Sequence, residues 1–262
     1  SVKSAVCGQC HSRGKEKGLD KYHTEVQFNF PVEYLPGQNL SENFEPTTPQ
    51  TDKKGKNWWG NGISKNRHQE YADFNRSKHA SSLKNLKEKK NTKCTQKPKD
   101  SCLQCHSADY ILAPKDNKPT LQTAKLGITC VVCHNPHSLG EGKRDANQPS
   151  SGCGNCHIGN MSFNVNNLNQ KHYPCPTNEV GCADCHMPRI VKTGGKFSLR
   201  SHAFKIIPPE ATKKYGMPNS CQNGSCHADK PLEWAQEEYS KFYPKEEKTL
   251  RQSLKDEKNS IL

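Results

Sequence analysis

Pairs of cysteines, each pair closed at once by a histidine, recur along this chain. Cys7 and Cys10 precede His11, Cys102 and Cys105 precede His106, and Cys130 and Cys133 precede His134. Cys153 and Cys156 precede His157, and Cys182 and Cys185 precede His186. In a sixth group, Cys221 and Cys226 precede His227 with four residues between the thiols instead of two. Two thiols one turn apart can add to the two vinyl groups of a porphyrin, and the adjoining imidazole then falls beneath the iron. The run Cys-x-x-Cys-His is the attachment signal of c-type haem. A structural zinc site also uses cysteine and histidine, but it does not need the histidine fixed directly behind the second thiol. The expected cofactors are therefore six haem c groups, with these six histidines as proximal iron ligands.

An iron in a porphyrin has a second axial position. The chain has twelve histidines, and six stand outside the motifs: His23, His68, His79, His137, His172 and His202. Six irons need twelve axial ligands, so these six are the expected distal ligands. His137 comes only three residues after His134 and is expected to serve a neighbouring haem. Met187 directly follows a proximal histidine and cannot reach the same iron, while Met161 and Met217 read as packing residues. Irons closed by two imidazoles leave no position for a substrate, and histidine in place of methionine lowers the potential. No catalytic residue is expected. The chemistry that remains is electron transfer between closely spaced haems. The fourteen cysteines leave Cys94 and Cys175 outside the motifs. Haem attachment of this kind takes place where disulfides persist, so these two are expected to form one.

The elements that position these residues must be built from little apolar material. Only 31% of the 262 residues are hydrophobic, and the mean hydropathy is −1.00. A protein-only core of ordinary size is hard to make from that. The haems themselves would supply the missing apolar surface. The expected fold is mostly irregular coil with short α-helices wrapped around a chain of six covalently bound haems, with minimal β. One domain is expected over 1–262, with an irregular arm at 31–62 and a C-terminal helical tail at 231–262. Val26, Phe28 and Phe30 alternate as a short strand would. Residues 66–90 read as the best helix, which would bring His68 and His79 to one face. Trp58 and Trp59 in the arm are candidates for an exposed contact or for packing on a porphyrin edge. Pro231 suits the first turn of the tail helix.

The net charge of +13 need not mean nucleic acid. The propionates of six haems offset most of that excess, and no nucleic-acid reader motif is present. No run of about 20 apolar residues suggests a transmembrane segment. Ser1 reads as a mature N-terminus from which an export signal has been removed.

The order of motifs resembles the hydroxylamine oxidoreductase and tetrahaem cytochrome group. The resemblance lies in His68, Tyr71 and Ser77-Lys78-His79-Ala80 ahead of clustered haem motifs, in Cys133-His134-Asn135-Pro136-His137, in Cys185-His186-Met187-Pro188 and in Ser201-His202-Ala203-Phe204. It implies distal-ligand roles for His79 and His202, and haems in stacked and perpendicular pairs. There is no Cys-x-x-Cys-Lys motif, which related pentahaem nitrite reductases use at their open iron. The chain also resembles surface cytochromes that polymerise into electron-carrying filaments. That resemblance implies an extracellular or cell-surface location, a homopolymer, and redox proteins or extracellular electron acceptors as partners. His23 would be the distal ligand donated between subunits. The alternatives are a soluble periplasmic carrier, or a redox enzyme on nitrogen or sulfur oxyanions with one five-coordinate haem.

Overall fold

A computed structural model describes residues 2–17, 30–31, 34–88, 97–134, 151–157, 180–224 and 226–242. His23, His137, His172, Cys94 and Cys175 lie outside the described residues, as do the expected strand before Phe30 and the end of the expected tail.

The described chain is mostly coil and turns. Its helices are short and the longest, Leu232–Phe242, has 11 residues. Two small antiparallel ladders make up the sheet. Gly14–Glu16 pairs with Phe44–Pro46, and Arg189–Thr193 pairs with Lys196–Arg200. This matches the coil-rich, β-poor fold expected from the composition. The residues fall into two compact units, one within Ser1–Thr47, His68–Ala146 and Ser151–Cys156, the other within Thr48–Arg67, Asn147–Ser150 and His157–Leu262.

Among the described residues, the first unit has two small apolar clusters. Ala5, Tyr34, Leu40 and Phe44 are buried together, with Tyr71 against them. Leu83, Leu103 and Ala124 form the other, flanked by Leu86, Tyr110 and Leu121. The short helix Val2–Gly8 and the helix Leu40–Asn43 meet at Gly8. A Cβ there would lie 2.9 Å from Leu40 and 3.0 Å from the Tyr71 ring. Asn39 caps Leu40–Asn43, its side chain accepting from the Ser41 amide.

The expected helix over 66–90 is two helices, Glu70–Asn75 and Ser82–Lys87. His68 has φ +66, a left-handed conformation that costs an L-residue about 1–2 kcal/mol and cannot sit inside an α-helix. The weak helix formers Asn75 and Ser77 flank the second break. The shared helical face expected for His68 and His79 is therefore not formed. Lys84 and Lys87 do fall in the last turn of Ser82–Lys87, where the helix dipole favours them.

The second unit has one larger core: Trp59, Ile63, Ile190, Val191, Ile207, Ala211 and Met217. Trp58 and Trp59 are 4% and 7% exposed, so the expectation of an exposed contact fails. Trp59 packs on the Phe197 ring at 5.6 Å and donates its indole N–H to the Ile190 carbonyl at 3.2 Å. The local hairpin of Asn57–Ser64 turns both indoles inward, which a Pro- and Gly-rich composition does not reveal. The carboxylate of Asp52 accepts from the Lys56, Asn57 and Trp58 amides and fixes that turn. Residues 31–62 thus carry a short helix, a strand and a buried tryptophan pair among their turns. The helix Leu232–Phe242 begins directly after Pro231, where the tail helix was expected. No helix among the described residues is long and apolar enough to cross a membrane.

Candidate haem-attachment sites

Each two-spaced Cys-His motif coincides with a single helical turn or the end of one. Leu103–His106, Cys130–Cys133 and Cys182–His186 are helices of four or five residues. The helix Val2–Gly8 ends inside the first motif, and Ser151–Gly154 ends inside the fourth. One turn is what the chemistry needs, because it sets the two thiols on one side and delivers the histidine backbone onto the first cysteine. The His11 amide donates to the Cys7 carbonyl at 2.9 Å, and the His134 amide donates to the Cys130 carbonyl at 2.9 Å.

Two of the motif histidine rings, those of His11 and His106, are oriented through Nδ1. His11 Nδ1 lies 3.1 Å from a Glu70 carboxylate oxygen. His106 Nδ1 donates to the Ser82 carbonyl at 3.3 Å, and the Ser82 hydroxyl returns a bond to the His106 carbonyl at 3.0 Å. The same hydroxyl accepts from the Ile128 amide at 3.1 Å, so Ser82 ties the second motif to the approach to the third. With Nδ1 carrying the proton, Nε2 keeps the lone pair a metal requires. The Glu70 carboxylate also holds the His11 pKa above its ordinary value, against an opposing effect of burial.

The motifs come together out of sequence order. Cys7 and Cys130 are neighbours where the helices Val2–Gly8 and Cys130–Cys133 meet, joining the first motif to the third. Cys105 and Cys156 are likewise neighbours, joining the second to the fourth. In addition, Cys105 Sγ approaches the Cys156 carbonyl at 3.8 Å and Cys156 Sγ approaches the Gln104 carbonyl at 4.0 Å. Burial, and then the neighbouring Cys156, push the Cys105 thiol up to about 11. Burial, and then Cys130, raise that of Cys7.

In the second unit the fifth and sixth motifs are tied through Ser220. Its hydroxyl donates to the Cys185 carbonyl at 2.7 Å and accepts from the Ile207 amide at 2.8 Å. Arg200 braces the fifth motif, donating to the Ala183 carbonyl at 2.7 Å, the Met187 carbonyl at 3.2 Å and Asp184 Oδ1. The long sixth loop is organised by its own polar side chains. Asn219 Oδ1 accepts from the Cys221 and Gln222 amides at 2.9 and 2.8 Å. Asn223 Oδ1 accepts from the Arg189 amide at 2.8 Å. Gly224 with φ +61 turns the loop, and His227 with φ +41 leaves it beside the Trp234 ring at 4.7 Å.

Of the expected distal ligands, three are described. His68 donates from Nδ1 to the Cys10 carbonyl at 3.0 Å and has the Phe30 ring edge-on at 5.8 Å. His202 donates from Nδ1 to the Arg200 carbonyl at 3.2 Å, with Phe204 edge-on at 6.3 Å. His79 receives the Ser82 amide on its carbonyl at 3.1 Å. Among the described residues no three His, Cys, Asp or Glu side chains gather as a metal-ion cluster. The donor set instead suits haem c: paired thiols on one turn, followed by an imidazole, whose Nδ1 is already engaged in His11 and His106.

Residues 65–135 match the family of cytochrome c554 and c-prime, a span that contains His68, His79 and the second and third motifs. The outer cell wall cytochrome OcwA superposes on 100% of this chain with a TM-score of 0.75 and 27% identity. These matches support reading the chain as a multihaem c-type cytochrome. It spans 56% of the length of the OcwA chain. A second solved structure, the undecaheme cytochrome from the S-layer of Carboxydothermus ferrireducens, shares 25% identity over 62% of this chain and 27% of its own chain, with a TM-score of 0.30. No curated protein matches the chain.

Sequence reasoning did not single out Glu70, Ser82, Arg200, Asn219, Ser220 or Asn223. Asn219 and Ser220 stand directly before Cys221, and Asn223 lies inside the long motif. Those neighbours were the one signal available. Nothing in the sequence marks Arg200, which reaches the fifth motif across a β-turn.

Proposed function

We propose that this chain is an electron relay of six haem c groups, each iron closed by two histidines, acting outside the cell. Covalently held haem supplies a one-electron iron couple, and the protein holds, spaces and orients it. The observation that carries the reading is the pairing of attachment motifs. Cys7 lies beside Cys130, and Cys105 lies beside Cys156. Since a thioether joins each such cysteine to its porphyrin edge, touching cysteines imply touching edges. Ser220 brings the fifth and sixth motifs together in the same way. Three pairs of neighbours support hopping within each pair.

The proximal ligands are His11, His106, His134, His157, His186 and His227. The distal ligands are His23, His68, His79, His137, His172 and His202, and Cys94 pairs with Cys175. The likeness to OcwA, a cytochrome of the outer cell wall, supports a surface location. Assembly as a homopolymer, with His23 crossing between subunits, follows from the filament resemblance. Redox proteins or extracellular acceptors are the partners.

The test is the intact mass of the exported holoprotein together with its spectrum. Six haem additions and purely low-spin ferric haem are expected. Fewer additions remove the six-site count. A high-spin signal that binds cyanide quickly replaces the relay with an enzyme.

A further inference from the structure

Glu70 occupies the first turn of the helix Glu70–Asn75 and meets His11 from 59 residues away. Two adjacent residues of that turn hold the histidine. The Glu70 carboxylate takes the ring Nδ1 at 3.1 Å, and the Tyr71 amide donates to the His11 carbonyl at 3.2 Å. The Glu70 side chain is only 19% exposed, so water competes poorly for the carboxylate. His106 and His202 are held differently. Their Nδ1 protons go to the neutral backbone carbonyls of Ser82 and Arg200.

A carboxylate acceptor draws the Nδ1 proton more strongly than a carbonyl does. The ring becomes more basic at Nε2 and a stronger donor to a metal. A stronger donor favours ferric over ferrous iron. We propose that Glu70 is a positioning residue that acts through His11 to lower the reduction potential of the haem attached at Cys7 and Cys10. The inference rests on haem attachment at the first motif, as proposed above. Glu70 then gives one station of the relay its own potential, set apart from the station whose proximal His106 faces a carbonyl.

The experiment is a spectropotentiometric titration of the holoprotein and of Glu70→Gln, with the haem-bearing peptides identified by mass. Glutamine keeps the size and an acceptor oxygen but removes the charge. One component of the titration is expected to move to higher potential. It is the component missing from the Cys7→Ser/Cys10→Ser variant. Glu70→Asp keeps the charge and withdraws it by one methylene. It is expected to raise the same component by less, and it serves as the comparison if Glu70→Gln does not accumulate as holoprotein. The shift is expected to persist at high ionic strength, where plain surface charge is screened. Unchanged potentials in a variant that carries haem at Cys7 and Cys10 overturn the role of Glu70. A shift that salt abolishes also overturns it, leaving a simple charge effect. A first-motif peptide without haem overturns the attachment itself, and the inference with it.

Discussion

At the scale of single residues, orientation of the candidate haem-attachment turns depends on a few polar side chains. Arg200 is the most economical of them, since one guanidinium serves the Ala183 and Met187 carbonyls and Asp184. Both members of the Arg200–Asp184 pair are about one-quarter exposed, so the ion pair itself counts for little beyond its hydrogen bonds. Arg200→Ala is expected to destabilise the holoprotein by about 1–3 kcal/mol, because it strands acceptors that water reaches poorly. Denaturant unfolding followed in the haem absorbance checks this. The distal proposal is tested at the same scale. His68→Ala is expected to convert one haem to a form that binds cyanide and shows a high-spin signal. A spectrum that stays entirely low-spin would remove His68 from the ligand set.

At the scale of elements, the sixth attachment loop differs from the rest. Four residues separate its thiols, so it cannot close as a single helical turn and folds through side-chain capping instead. Asn219 holds two of its amides, and Asn223 anchors the loop to Arg189. Asn219→Ala is expected to cost about 0.5–2 kcal/mol, the usual loss for an amide-capping side chain. It should appear as a fraction of molecules one haem lighter in the intact mass. The second unit offers a contrasting test in its apolar core. A Cβ at Gly60 would lie 2.4 Å from the Tyr215 ring. Gly60→Ala is therefore expected to destabilise by about 1–3 kcal/mol through overpacking, without changing the haem count. Thermal unfolding with haem quantification separates the two outcomes.

At the scale of the whole molecule, the apolar clusters among the described residues of the first unit are very small for a stable fold. Four residues form one and three the other, each with a few partly buried neighbours. Under the proposed function, haem faces would supply the remainder of the core. Stability and cofactor content should then be coupled. Variants lacking the haem at Cys7 and Cys10, the haem at Cys130 and Cys133, or both, are expected to be non-additive by about 0.5–3 kcal/mol, as for groups in contact. Strict additivity of their unfolding free energies would argue against an edge contact in that pair. The filament proposal belongs to this scale as well. Electron imaging of purified holoprotein is expected to show polymers, and a field of monodisperse particles would exclude them.

The candidate attachment residues were legible in the sequence, and haem c is the chemistry they suit. The spacing of Cys102, Cys105 and His106 has one chemical meaning wherever it lies, because a single turn suffices to present all three. The coil-rich fold was legible too, since 31% hydrophobic residues cannot line long amphipathic elements. Other features depended on contacts between distant segments. Periodicity suggested one helix through His68, but the left-handed backbone at that histidine broke it. Composition suggested an open arm at Trp58 and Trp59, but Asp52 and the Ile190 carbonyl drew them inward. Which motif meets which was also beyond the sequence. Cys7 and Cys130 are 123 positions apart, and no local pattern specifies their meeting. The same holds for the carboxylate behind His11, where a helix from another part of the chain decides what the imidazole faces.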